Sequence, residues 1–140
     1  MDKLLSFLGI CKKAGAIEIG EETVGAVVRK GRAVLILTAS DAAKNAVKKA
    51  ENYARSGNCV LIQLPYTKQT LGEMLGRRVC AIMAVTNLSM AVGLAEKLSE
   101  ERETYKEAYN RLLDKYKRRK HGRRNGRSSK AIGRNANGEV

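Results

Sequence analysis

Three unbroken aliphatic runs constrain this chain most. Residues 33–38 read AVLILT, residues 59–64 CVLIQL and residues 80–85 CAIMAV. None alternates polar with apolar residues, so strands built from them must be covered on both faces. The segments between them have helical spacing. Residues 2–14 place Leu4, Leu5, Leu8 and Cys11 on one face, and Gly15 stops that helix. Residues 17–19 form a short strand. Gly20 then precedes Glu21 and Glu22, acids suited to the first turn of a helix that carries Val24, Val27 and Val28 and ends at Gly31. Asp41 is expected to cap a helix whose apolar side is Ala43, Ala46, Val47, Ala50 and Ala54, ended by Gly57. Pro65 breaks the chain, Thr67 caps a short helix closed by Gly76, and Asn87 caps a helix bearing Leu88, Ala91, Val92, Leu94, Ala95 and Leu98.

The resulting order is α-β-α-β-α-β-α-β-α. With 4% aromatic residues, one Phe and no Trp, the core must be built from Ala, Val, Ile and Leu. The expected fold is α/β: a three-layer α-β-α sandwich over residues 1–98, with a four-stranded mixed or mostly parallel sheet. A long C-terminal helix and a basic tail follow.

Beyond Leu98 the composition changes. Residues 99–120 form a charged helical extension in which Glu107 and Arg111 pair at i,i+4. Tyr105, Tyr109, Leu112 and Tyr116 recur at helical spacing. Such a stripe docks on the domain, docks on a partner, or is incidental to a solvated helix. After Asp114 come ten basic residues, Lys115 to Arg134, with no acid among them. Gly122, Gly126, Gly133 and Gly138 are expected to interrupt helix formation, making 121–140 a basic disordered tail. The formal net charge of +13 exceeds what solubility needs and points to a polyanion, nucleic acid ahead of an acidic protein or a membrane surface.

Little points to catalysis. The single histidine, His121, sits in the basic tail with no ligand or triad partner at suitable spacing. Neither GxGxxG nor GxxxxGK[ST] occurs. Cys11, Cys59 and Cys80 are odd in number, unpaired and set in apolar runs, so they read as buried hydrophobes of a reducing compartment. Neither a secretory signal nor a membrane span is evident, so a cytoplasmic location is expected. No enzyme, cofactor, metal or small-molecule substrate is expected.

The informative positions are loops and helix starts. Gly20-Glu21-Glu22-Thr23 sits where a strand passes into a helix. Its acids either complement the helix dipole or accept hydrogen bonds from base edges. Arg77-Arg78 precedes a buried strand, either as a solvated turn or as an RNA contact.

The runs GEETVGAVVRKGRAVLILTASDAAKNAVKK and LPYTKQTLGEMLGRRVCAIMAV resemble the kink-turn-binding ribosomal-protein family, of L-seven-Ae and L-thirty-e type, in its bacterial YlxQ-like branch. Gly20-x-Glu22-Thr23, Ala39-x-Asp41 and Leu71-Gly72 followed by Gly76 carry the likeness, which covers roughly residues 3–98. The resemblance implies an RNA site made of Gly20, Glu21, Glu22, Thr23 and Gly25, the turn with Ser40 and Asp41, and the loop of Arg77, Arg78, Val79 and Cys80. Arg29 on the same helix joins this surface. Lys117, Arg118, Arg119, Lys120, Arg123 and Arg124 of the tail are expected to add phosphate contacts. The family usually has Asn where this chain has Glu21, and Lys where it has Gly25. Asn donates and accepts whereas Glu only accepts, so guanine recognition is expected to differ. The expected function is non-enzymatic binding of structured RNA, ribosomal RNA foremost. The alternative is a protein-interaction module of the translation or transcription machinery that uses the C-terminal helix.

Overall fold

A computed structural model describes the backbone of residues 2–128 and the side chains of residues 2–120. The elements run α1 (Lys3–Lys13), β1 (Ile17–Ile19), α2 (Glu21–Arg29), β2 (Leu35–Thr38), α3 (Lys44–Gly57), β3 (Val60–Gln63), α4 (Lys68–Leu75), β4 (Ile82–Val85), α5 (Leu88–Glu101) and, after a 3₁₀ turn, α6 (Lys106–Ser128). The expected alternation is present in full.

The four strands form one sheet in the order β1-β4-β2-β3. β2 and β3 are parallel, joined by α3 as crossover, while β4 runs antiparallel to both its neighbours, β1 and β2. The sheet is therefore mixed. Helix–strand alternation fixes one βαβ unit, but β4 enters between β1 and β2 in the opposite sense, which the order of elements cannot show.

Every residue of β2 and β4 is buried, as their unbroken aliphatic runs require. Val24, Val27 and Val28 of α2 and Ala50 and Ala54 of α3 pack with Ile36, Ile82 and Ala84 on one face. On the other face, Leu4 and Leu8 of α1, Leu71 of α4, and Leu94 and Leu98 of α5 cover Leu35, Leu37, Met83 and Val85. The result is the three-layer sandwich.

Two N-caps follow the sequence reading. Thr67 accepts from the Thr70 amide at 3.1 Å and Asn87 from the Met90 amide at 2.9 Å. Asp41 departs from it. The residue capping α3 is Ala43, and Asp41 Oδ1 instead accepts the Lys68 amide, the first of α4, at 2.8 Å. A turn in which the Ala42 amide bonds Ala39 oxygen delays the start of α3, leaving Asp41 free to cap a different helix.

The stripe on the C-terminal helix docks on the domain itself. Leu112 is fully buried in the main core, with Tyr105, Tyr109 and Tyr116 packed around it. The domain thus does not end near residue 98. The Tyr105 hydroxyl donates to Gln63 oxygen at 2.9 Å, and the Lys115 ammonium donates to Asn58 oxygen. α6 also continues to Ser128, through Gly122 and Gly126. A glycine costs a helix only about 1 kcal/mol, and a helix already nucleated by docking propagates cheaply. Residues 129–140, expected to belong to the basic tail, lie outside the described residues.

Leu112→Ala should lower stability by about 2–5 kcal/mol, the range for emptying a buried leucine site. Chemical denaturation of the full chain checks this; a loss below about 1 kcal/mol would mean that the α6 contact does not hold in solution.

Candidate nucleic-acid interface

The sheet brings two of the predicted segments together at one end. β1 finishes at Ile19, and antiparallel pairing sets Ile19 opposite Met83, next to the start of β4. The Gly20 amide bonds Ile82 oxygen at 3.1 Å, which locks the α2 entry to the approach of β4. Gly20 has φ +104°, a conformation that non-glycine residues rarely adopt. Between the two segments lies an open groove of about 500 Å³. One side is Gly20, Glu21, Glu22 and Thr23. The other is Val79, Cys80 and Ala81, with Ile19 and Ile82 at the base.

The loop before β4 is held by contacts from below. Arg77 amide bonds Gly72 oxygen at 2.7 Å, and Cys80 amide bonds Lys68 oxygen at 2.8 Å. A Cβ at Gly72 would lie 2.7 Å from Val79 Cα and 2.8 Å from Arg78 oxygen, so only glycine lets this loop lie on α4. Asp41 fastens α4 in turn. This network presents Val79 to solvent at 56% exposure, one of two large hydrophobic side chains so exposed among the described residues. Arg77 and Arg78 flank it and are exposed. Cys80 differs: its side chain is buried, and burial pushes its thiol up to about 11, so it lines the groove as a neutral group.

The Ser40-Asp41 turn supports the groove without lining it. Ala39 amide bonds Ala81 oxygen at 2.9 Å and Ser40 amide bonds Tyr66 oxygen at 2.8 Å. The start of α2 offers amide groups to the groove, since Gly20 provides no side-chain cap.

Glu21 and Gly25, the two departures from the family pattern, both meet α3. Lys49 Nζ stands 3.1 Å from Glu21 Oε1. Its ammonium is held above the usual lysine range by the Glu21 hydrogen bond first, and by the charges of Glu21, Tyr53 and Glu22 after it. A Cβ on Gly25 would come within 2.8 Å of the Tyr53 hydroxyl and 3.3 Å of an Arg29 guanidinium nitrogen. Tyr53 thus occupies the space above α2 where a longer residue 25 would project. Lys49 and Tyr53 were not singled out in the sequence, although their spacing of four was a signal that they share a face of α3. Ile19, Ala81 and Ile82 were also missed, because aliphatic strand ends look like core.

The tail cations do not join the groove. The groove opens beyond the carboxyl ends of β1, β2 and β3. α6 starts beside Gln63 and reaches Asn58 ten residues later, running back along β3. Lys117, Arg118, Arg119 and Lys120 are exposed toward the opposite end of the sheet. The side chains of Arg123 and Arg124 lie outside the described residues.

Residues 2–92 match the Ribosomal protein L7Ae/L30e/S12e/Gadd45 family. The chain belongs to that family. It is 31% identical over 88 residues to the RNA-binding protein YlxQ of Bacillus subtilis strain 168, covering 60% of this chain and 83% of that protein. A solved protein of unknown function from Bacillus halodurans C has 26% identity and a TM-score of 0.65, over 71% of this chain and 99% of its own. Among the described residues no group of three potential metal ligands occurs, and no helix is long and apolar enough to cross a membrane.

The seam between α2 and α3 is tested by a double-mutant cycle. Gly25→Ala should destabilise the wild-type chain by about 1–3 kcal/mol through overpacking against Tyr53. With Tyr53→Ala the same change should stabilise by up to about 1 kcal/mol, the helical advantage of alanine. Equal effects in both backgrounds, measured by urea unfolding, would remove Tyr53 from this account.

Proposed function

We propose that this chain is a non-enzymatic RNA-binding protein of the ribosomal-protein type, and that the groove between residues 19–23 and 79–82 is where it takes a structured RNA. One observation carries the reading: an exposed valine is held by a fastened loop directly across from a helix start with unpaired amides. A base extruded from the RNA rests its apolar face on Val79. The amides at the α2 start and the Glu22 carboxylate meet its polar edge, the amides donating and the carboxylate accepting from amino or imino groups. Arg77 and Arg78 flank the groove as phosphate contacts that position the RNA without specifying it. Arg29, expected on the same surface, ends α2 and so lies toward the opposite end of the sheet. Glu21 is less available for a base, because Lys49 holds it.

Family membership and the RNA-binding relative support this reading. Ribosomal RNA and kink-turn-like elements are the RNA class proposed, in the cytoplasm and with the ribosome as setting. The alternative, a C-terminal helix that recruits a protein through its tyrosines, is weakened because Tyr105, Tyr109, Leu112 and Tyr116 pack against this chain's own core. The basic C-terminal segment, whose described cations lie away from the groove, adds phosphate contacts to a separate stretch of RNA.

Val79→Asp should weaken binding to a kink-turn hairpin by tenfold or more, where tenfold corresponds to about 1.4 kcal/mol. Its stability should change by no more than about 0.5 kcal/mol, as the position is exposed. Cross-linking in cells, with adducts mapped on the chain and the attached RNA sequenced, should place adducts on residues 20–23 and 77–80. Adducts confined to the C-terminal segment would defeat the groove assignment.

A further inference from the structure

The end of the sheet opposite the groove is where the chain's positive charge converges. α1 arrives there before β1 begins, α2 before β2 begins and α3 before β3 begins, because each of these helices runs toward the amino end of the strand that follows it. Their last turns and following loops read KKAGA at 12–16, RKGRA at 29–33 and RSGNC at 55–59, with no acid in any of them. α6 delivers its cations to the same end once it has passed Asn58. Lys13, Lys30, Arg32, Arg55, Arg118 and Arg119 are all exposed. The groove end is different in kind: Glu21, Glu22 and Asp41 lie there among the bases.

Helix dipoles explain part of this. One or two cations at a helix C-terminus complement the partial negative charge. Arg32 lies beyond its helix, however, and the α6 cations cap nothing at this end. Lys115 shows how crowded the region is: burial lowers its pKa first, and Arg111, Arg118 and Arg119 repel it further. Such clustering on the surface of a folded domain creates a positive field that attracts polyanions.

We propose that this end of the sheet is a second RNA surface, separate from the groove, which holds the phosphate backbone of a duplex without reading its sequence. The proposal rests on the groove taking RNA as described above. Five residue steps separate Gln63 from Asn58, about 16 Å of extended chain, and ten residues of α6 span about 15 Å. The two surfaces thus face opposite ways across the sheet, and one chain joins two RNA segments.

The test uses the full chain with two probes, an immobilised kink-turn hairpin and a labelled perfect RNA duplex. Protein loaded on the hairpin should capture the duplex, and light scattering of the bridged complex should find one copy of the chain. The variant Arg32→Gln, Arg55→Gln, Arg118→Gln, Arg119→Gln should keep the hairpin and lose at least tenfold in duplex affinity. Its log–log salt slope for the duplex should flatten by roughly 3 to 4. Val79→Asp should lose the hairpin and keep the duplex. Displacement of duplex by hairpin, bridging by two copies, or wild-type duplex binding by the four-site variant would overturn the second surface. Hairpin binding untouched by Val79→Asp would overturn the groove assignment instead, and the duplex arm would still judge the second surface by itself.

Discussion

The two central strands have no polar face, and the rest of the molecule answers to that. Every residue of β2 and β4 is buried, so both sides of the sheet must carry helices. Once the faces are closed, the ends of the sheet are where loops from several elements meet. One end gathers the loop that enters α2 and the loop that enters β4. The other gathers the last turns of α1, α2 and α3. Function on this fold is accordingly a property of strand ends, and different ends can differ completely in charge.

Much of the fold was legible because burial on both faces leaves an unmistakable aliphatic run. Thr67, Gly76 and Asn87 marked helix boundaries through local hydrogen bonding and backbone geometry, which depend on few neighbours. Strand order was less legible. Pairing β4 between β1 and β2 is a long-range choice, and residues 80–85 look the same whether they run parallel or antiparallel. Asp41 failed for a similar reason: a carboxylate suited to capping was recognised, but the amide it serves is 27 residues away. Leu112 was visible as part of a stripe, yet its destination depended on a core already assembled.

The candidate site was half legible. The residues at 20–23 and 77–80 pointed to two separate segments that only the family resemblance joined into one site, and the antiparallel register of β1 and β4 is what makes them two walls of one groove. The basic segment was expected to add phosphate contacts, and the path of α6 along β3 carries its described cations away from the groove. The α3 contributions were hidden because Lys49 and Tyr53 are unremarkable on an amphipathic helix. Their meaning depends on Glu21 and Gly25 standing opposite at the same four-residue spacing.

The docking of α6 has a further consequence for solubility. β3 is an outer strand, bonded to β2 alone, and an outer strand is a template on which other chains can add. Here Tyr105 engages the carbonyl at one end of it and Lys115 the carbonyl just before the other, with a fully buried Leu112 pinning the helix between them. The helix thus acts as a guard along the sheet's margin, and the charge it carries discourages strand-on-strand growth. The opposite margin needs less protection, since β1 is only three residues long.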